Sequence, residues 1–116
     1  MFRFEGLEVW QLAIAYGKCC YGIASVFPKC ENYGLSDQLR RAAVSVSNNI
    51  AEGSAGSTAN FKKYIIMAIG SVFETVSIFR IAFGVEYVSF QTREDAYEEA
   101  EKLVRKLRNF SKSLSA

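Results

Sequence analysis

The chain has 116 residues, half of them hydrophobic, with 14 Lys and Arg against 12 Asp and Glu and no histidine. That length fits one domain with a real core, and a net charge of +2 is too small to argue for nucleic-acid or membrane binding by itself. Without histidine, and with Cys19, Cys20 and Cys30 forming no CxxC pair, zinc ligation by the usual Cys and His sets is excluded and the commonest general base is missing.

The opening MFRFEGLEVW has no long apolar run and no small-residue cleavage site. No signal peptide is expected, and free thiols fit a reducing cytosol, so a cytoplasmic location is expected. The first predicted helix runs from about Leu7 to Phe27. Leu7, Trp10, Ile14, Gly17, Tyr21 and Ala24 form one stripe, and Val9, Ala13, Tyr16, Cys20, Ile23 and Phe27 a second. Pro28 ends it, because the residue before a proline avoids the α conformation.

The second helix, Ser36 to Gly53, has Ser36 as its expected N-cap and Gly53 as its C-terminal stop. Its core stripe is Leu39, Ala43, Val46 and Ile50, opposite a polar row of Gln38, Arg41, Ser45, Asn48 and Glu52. After the loop SAGS, the third helix runs from Thr58 to Gly84 with three apolar stripes. Phe61, Ile65, Ala68, Val72, Phe79 and Ala82 form one. Ile66, Ile69, Phe73, Val76 and Phe83 form another, and Tyr64, Met67 and Ile78 lie on the third. A helix apolar nearly all round is expected to be central. A span of about 20 apolar residues could cross a bilayer, but Ser71, Glu74, Thr75, Ser77 and Arg80 interrupt this one, and mid-membrane charges are costly. No membrane association is expected, and burial in an oligomer accounts better for so much apolar surface.

The fourth helix is expected from Thr92 to Leu114, with Thr92 and Asp95 approximating a capping box. Ala96, Ala100, Leu103, Leu107, Phe110 and Leu114 give it a single apolar stripe. Four helices joined by short connections predict one all-α domain over residues 1–116, an antiparallel up-down-up-down four-helix bundle. The β-like run Val85 to Phe90 is too short to pair with anything evident.

Enzyme chemistry finds little support: no serine sits in a GxSxG context, and Gly53-Ser54-Ala55-Gly56 is not followed by the GK[ST] of a P-loop. No enzyme activity and no cofactor are expected. Glu74, in an apolar helix, needs a partner if it is buried. Arg41, Asn49, Glu52, Ser71 and Glu74 are therefore expected to form one polar network, between the second and third helices or across a subunit boundary. Lys102, Arg105, Lys106, Arg108 and Lys112 crowd the end of the fourth helix, and Arg40, Arg41, Lys62 and Lys63 make a second basic group. Such rows meet phosphates well, although acids at the start of the fourth helix and bases at its end also suit the helix dipole.

Phe27-Pro28-Lys29, Glu31, Gly34-Leu35, Gln38, Arg40-Arg41-Ala42, Ser45 and Asn49-Ile50-Ala51-Glu52-Gly53 make a distinctive pattern. With Leu7, Val9 and Trp10 at the start and Ala68, Gly70-Ser71 and Glu74 in the third helix, the chain resembles the bacterial four-helix bundle proteins named for open reading frames within 23S rRNA intervening sequences. The resemblance implies a homopentameric ring of bundles and carries no catalytic residues. A related branch, the accessory variability determinants of diversity-generating retroelements, implies binding to a reverse transcriptase and nucleic acid. Two departures stand out. Ser47 occupies the middle of the second helix where the family often has proline, and Ser54-Ala55-Gly56 follows Gly53 where a basic residue is common.

The function expected is that of a noncatalytic oligomeric scaffold. It would engage RNA, DNA or a nucleic-acid-processing protein through Arg40, Lys62, Lys63, Lys102, Arg105, Lys106, Arg108 and Lys112. The accessory role on a reverse transcriptase is one alternative. A small-ligand or metal-binding bundle using Glu52 and Glu74 is another, of a different class.

Overall fold

The structure is a computed structural model that describes residues 1–114. Four helices account for most of it: α1 (Glu8–Ala24), α2 (Leu35–Gly53), α3 (Thr58–Gly84) and α4 (Phe90–Ser113). Short 3-10 turns, Arg3–Gly6 and Lys29–Glu31, precede α1 and α2, and no strand occurs among the described residues. Neighbours in sequence pack side by side, α4 closes back on α1, and the α2–α3 contact is the most extensive. Cross-helix pairs set the antiparallel register. Ser45 bonds Ser71, Phe61 meets Phe110 and Lys106 reaches Glu8. The body measures 45 × 23 × 21 Å, close to the length of α3 at about 40 Å for 27 residues.

One stripe from each helix fills the core. Val9, Ala13, Tyr16, Cys20 and Ile23 come from α1, Leu39, Ala43, Val46 and Ile50 from α2, Phe61, Ile65, Ala68, Val72, Phe79 and Ala82 from α3, and Ala96, Ala100, Leu103 and Leu107 from α4. The small Ala positions let the helices approach closely, and the larger side chains interdigitate between them. Across the middle, the buried Thr75 hydroxyl donates to the Val72 carbonyl at 2.6 Å and accepts from the Tyr16 hydroxyl at 2.7 Å. Both groups are thus satisfied, and burial raises the Tyr16 pKa. The remaining stripes of α1 and α3 are not absorbed. Ile14 and Gly17 are only half-buried and Tyr21 is exposed, as are Ile66, Met67 and Phe73. Within one chain α3 is therefore a helix with one buried side, not a fully surrounded one.

The helix ends depart from the sequence expectations in instructive ways. α1 stops at Ala24 rather than Phe27, because Val26 and Phe27 bond back to Ile23 and Ala24 at 3.2 Å in tighter turns before Pro28. Ser36 is not the cap of α2. It lies inside the first turn, buried, with its hydroxyl 3.4 Å from the Ala24 carbonyl. Glu31 caps the helix instead, accepting from the Leu35 N–H at 3.0 Å and from the Tyr87 hydroxyl at 2.8 Å. Those two donors hold the Glu31 carboxyl below its ordinary pKa, and the Glu31 carboxylate raises the pKa of Tyr87. A Cβ at Gly34 would sit 2.8 Å from the Glu31 carboxylate, so a side chain there displaces the cap.

Gly53 does not stop α2 through a left-handed turn; no glycine among the described residues has positive φ. Its role is close approach, since a Cβ there would lie 2.5 Å from the Tyr64 Cβ and 3.1 Å from Phe61 Cδ1. α3 begins at Ser57, whose hydroxyl accepts from the Asn60 N–H at 3.2 Å. It ends in a Schellman turn: the Tyr87 N–H bonds to the Ala82 carbonyl at 2.8 Å and the Glu86 N–H to the Phe83 carbonyl at 3.0 Å. Glu86 takes the left-handed position, at φ 64°. α4 is capped by Ser89, whose hydroxyl accepts from the Thr92 N–H at 3.1 Å. Thr92 lies inside the first turn, and Asp95 pairs with Gln91 rather than closing a capping box.

Two substitutions test these ends by chemical denaturation. Gly53→Ala forces α2 off α3 and is expected to cost about 1–3 kcal/mol, the usual scale of overpacking. Glu86→Gly relieves a left-handed side chain and is expected to raise stability by about 1 kcal/mol.

Candidate functional site

α3 and α4 diverge enough on the outside to leave a groove between them. It consists of two adjoining depressions of about 470 and 580 Å³ that share Phe73, Arg108 and Lys112. Its floor is the second stripe of α3, with Ile66 at 68% and Phe73 at 53% exposure. Arg105, Arg108 and Lys112 follow at i, i+3 and i+7 along α4, one helical face, and Lys62 stands across from them on α3. None of these four cations lies within ion-pair distance of an acid among the described residues. Glu101 is the one carboxylate among the residues lining the groove. The result is an apolar, aromatic floor under a row of free positive charge.

The other basic residues expected at the site are elsewhere. Lys106 pairs with Glu8 at 3.4 Å, toward α1. The Arg40 guanidinium donates to the Asn32 carbonyl at 3.2 Å and steadies the turn before α2. Lys63 and Lys102 are exposed and line neither depression.

The expected polar network divides. Ser45 is its hub: the Asn49 side-chain amide donates to the Ser45 carbonyl at 2.8 Å and to its hydroxyl at 3.1 Å, and the Ser71 hydroxyl donates to the Ser45 hydroxyl at 2.9 Å. This ties α2 to α3. Arg41 is not part of it and pairs with Asp37 at 3.0 Å on the surface. Glu52 and Glu74 are both exposed and join no hydrogen bond or ion pair among the described residues. Within a single chain, Glu74 needs no buried partner because α3 turns that side to solvent. No group of three or more Cys, Asp or Glu side chains able to hold a metal occurs among the described residues. A metal site on Glu52 and Glu74 therefore finds no support.

Sequence reasoning overlooked Arg93. Its guanidinium lies over three rings, 4.5 Å from the centre of Phe83, 5.0 Å from Phe90 and 5.3 Å from Tyr97. Its Nε is buried without a hydrogen-bond partner, and Glu94 is 3.9 Å from a terminal nitrogen. Ring faces thus carry most of the interaction with this charge. The spacing Phe90, Arg93, Tyr97 on one helical face was the available signal. Arg93 closes the α3–α4 turn, and the edge-on pair Phe61–Phe110 closes the other end.

Two of the three thiols, Cys19 and Cys20, are poor nucleophiles. Burial and neighbouring Cys19 push Cys20 up to about 12, and its own partial burial, then Glu99 and Asp95, raise Cys19. In a thiol titration of the folded protein, Cys20 is expected to stay unmodified until the bundle unfolds. Rapid reaction of all three cysteines under native conditions would contradict this packing.

The fold matches a crystal structure of a protein of unknown function from the S23 ribosomal protein family of Bacteroides thetaiotaomicron VPI-5482. The TM-score is 0.82 at 18% identity, covering 90% of this chain and 99% of that one. No curated protein matches the chain in sequence. The family model described as 23S rRNA-intervening sequence protein matches residues 5–109. A match over nearly the whole bundle shows that the chain belongs to the 23S rRNA-intervening sequence protein family.

Proposed function

We propose that the protein is a noncatalytic RNA-binding scaffold that assembles as a homopentameric ring and holds single-stranded RNA in its α3–α4 grooves. The observation that carries this reading is the convergence of Lys62, Arg105, Arg108 and Lys112 on one groove around exposed Phe73. Free cations in a row meet phosphates, and an exposed aromatic ring stacks a base. Together these are the two elements of single-strand recognition. RNA is taken as the polyanion in keeping with a family described as 23S rRNA-intervening sequence protein. Assembly is supported by the apolar stripes that the single bundle leaves uncovered. Repeating the groove around a ring multiplies weak contacts into useful avidity. The noncatalytic reading rests on the absence of histidine and on a groove with one carboxylate.

Fluorescence anisotropy with a labelled oligouridylate tests the groove. Binding is expected to weaken steeply with added salt. Arg108→Glu and Lys112→Glu are expected to weaken it at least about tenfold each, if each loses a phosphate contact worth about 1.4 kcal/mol. Phe73→Ala removes a stacking platform worth about 1–3 kcal/mol, or roughly 5- to 150-fold. Lys63→Glu, outside the groove, is expected to change little. No binding at low salt, or equal losses for Lys63→Glu and Arg108→Glu, would overturn the proposal.

A further inference from the structure

The α1–α2 side of the bundle carries a second groove, unlike the first. About 370 Å³ in volume, it runs over Ala13, Ala43, Ile14 and Gly17 and is bordered by Lys18, Tyr21 and Val44. Gly17 leaves it open, since a Cβ there would touch nothing within 4 Å. Lys18 on its border is exposed and forms no ion pair among the described residues. On α3 the outward row Met67, Gly70, Glu74, Ser77 and Ile81 has the 3-4 spacing of a packing seam. Met67 and Ile81 are 46% and 51% exposed, and Glu74 sits between them with no ion-pair partner among the described residues. Gly70 adds no bulk, and a Cβ there would also meet open space.

We infer that these two surfaces are the two halves of one contact, in which the α3 ridge of one copy of the chain seats in the α1–α2 groove of the next and Glu74 pairs with Lys18. The inference rests on the oligomeric reading above. Charge selects the groove: the ridge brings an acid to a border held by a free lysine. The α3–α4 groove instead meets an incoming chain with four cations and stays open for polyanion. Level along the bundle agrees. The Tyr16–Thr75 hydrogen bond puts residue 16 of α1 beside residue 75 of α3. Lys18 and Glu74 then differ by three residues in height, about 4.5 Å at the helical rise. In a ring whose axis runs along the helices, neighbouring copies share one level, so the two side chains meet across the seam. Because ridge and groove are different surfaces, the contact is head-to-tail and closes only by making a ring.

Sedimentation velocity at micromolar concentration, with circular dichroism to confirm folding, separates the outcomes. Glu74→Lys and Lys18→Glu are each expected to shift the protein from the ring to smaller species, and the double variant to restore the ring. Both sites are exposed, so the fold should be untouched. Gly17→Leu fills the groove with a better helix former and is expected to dissociate the ring into subunits that circular dichroism still reads as folded and helical. A wild-type protein that sediments as one subunit overturns the oligomeric reading, and this inference with it. A wild-type ring that persists in both single variants and in Gly17→Leu overturns this contact alone. A ring lost in both single variants and not recovered in the double variant overturns the Glu74–Lys18 pairing.

Discussion

α3 has more apolar surface than its neighbours within one chain can cover. A helix in a four-helix bundle turns roughly one side inward, and here that side is Phe61, Ile65, Ala68, Val72, Phe79 and Ala82. Ile66 and Phe73 fall toward α4 and line the cation-bordered groove, and Met67 and Ile81 are exposed and line neither of its depressions. Fully burying a side chain of this size is worth about 1.5–3 kcal/mol. Leaving several exposed forgoes a gain comparable to the whole stability of a small domain. The groove and the ridge are consequences of that excess, one on each flank of the same helix.

Polar and aromatic contacts decide where that surface points. The Tyr16–Thr75 pair fixes α1 against α3 across the core, and the Ser45–Asn49–Ser71 cluster fixes α2 against α3 along the edge. A slip of one residue in α3 would break both and rotate the outward row by about 100°. At the ends, Glu31 ties the start of α2 to Tyr87, and Arg93 ties α4 to Phe83. These pins hold the cations of α4 over the second stripe of α3 rather than elsewhere on its surface.

Hydrophobic periodicity made the four helices and all four core stripes legible, because one face of each amphipathic helix must go inward. The caps were less legible. Ser36, Gly53 and Thr92 are residue types that favour helix ends, yet each is used for packing or lies within the first turn rather than at the cap. The true caps, Glu31, Ser57, Ser89 and the left-handed Glu86, depend on tertiary partners or on where the chain turns. Glu74 misled for a related reason. An acid in an apolar run looks buried when every stripe is assumed to face a core, and it is solvent-facing when one stripe does not. Four of the eight basic candidates converge on the groove, a subset that depends on which turns of α4 oppose α3 and that composition does not encode.

Electrostatics argues that the two uncovered surfaces serve different partners. An apolar patch ringed by cations disfavours association with its own copies, because like charges would be desolvated together at the seam. The same ring attracts a polyanion. The outward row of α3 has the opposite character, with Glu74 central and Met67 and Ile81 beside it, and its complement on the same chain is the Lys18-bordered groove at nearly the same level. If self-contact used the α3–α4 groove, the surface proposed for RNA would disappear into the interface. In the proposed ring, using the outward row instead leaves every copy's cation-lined groove facing solvent, so that the proposed assembly and the proposed RNA binding are compatible.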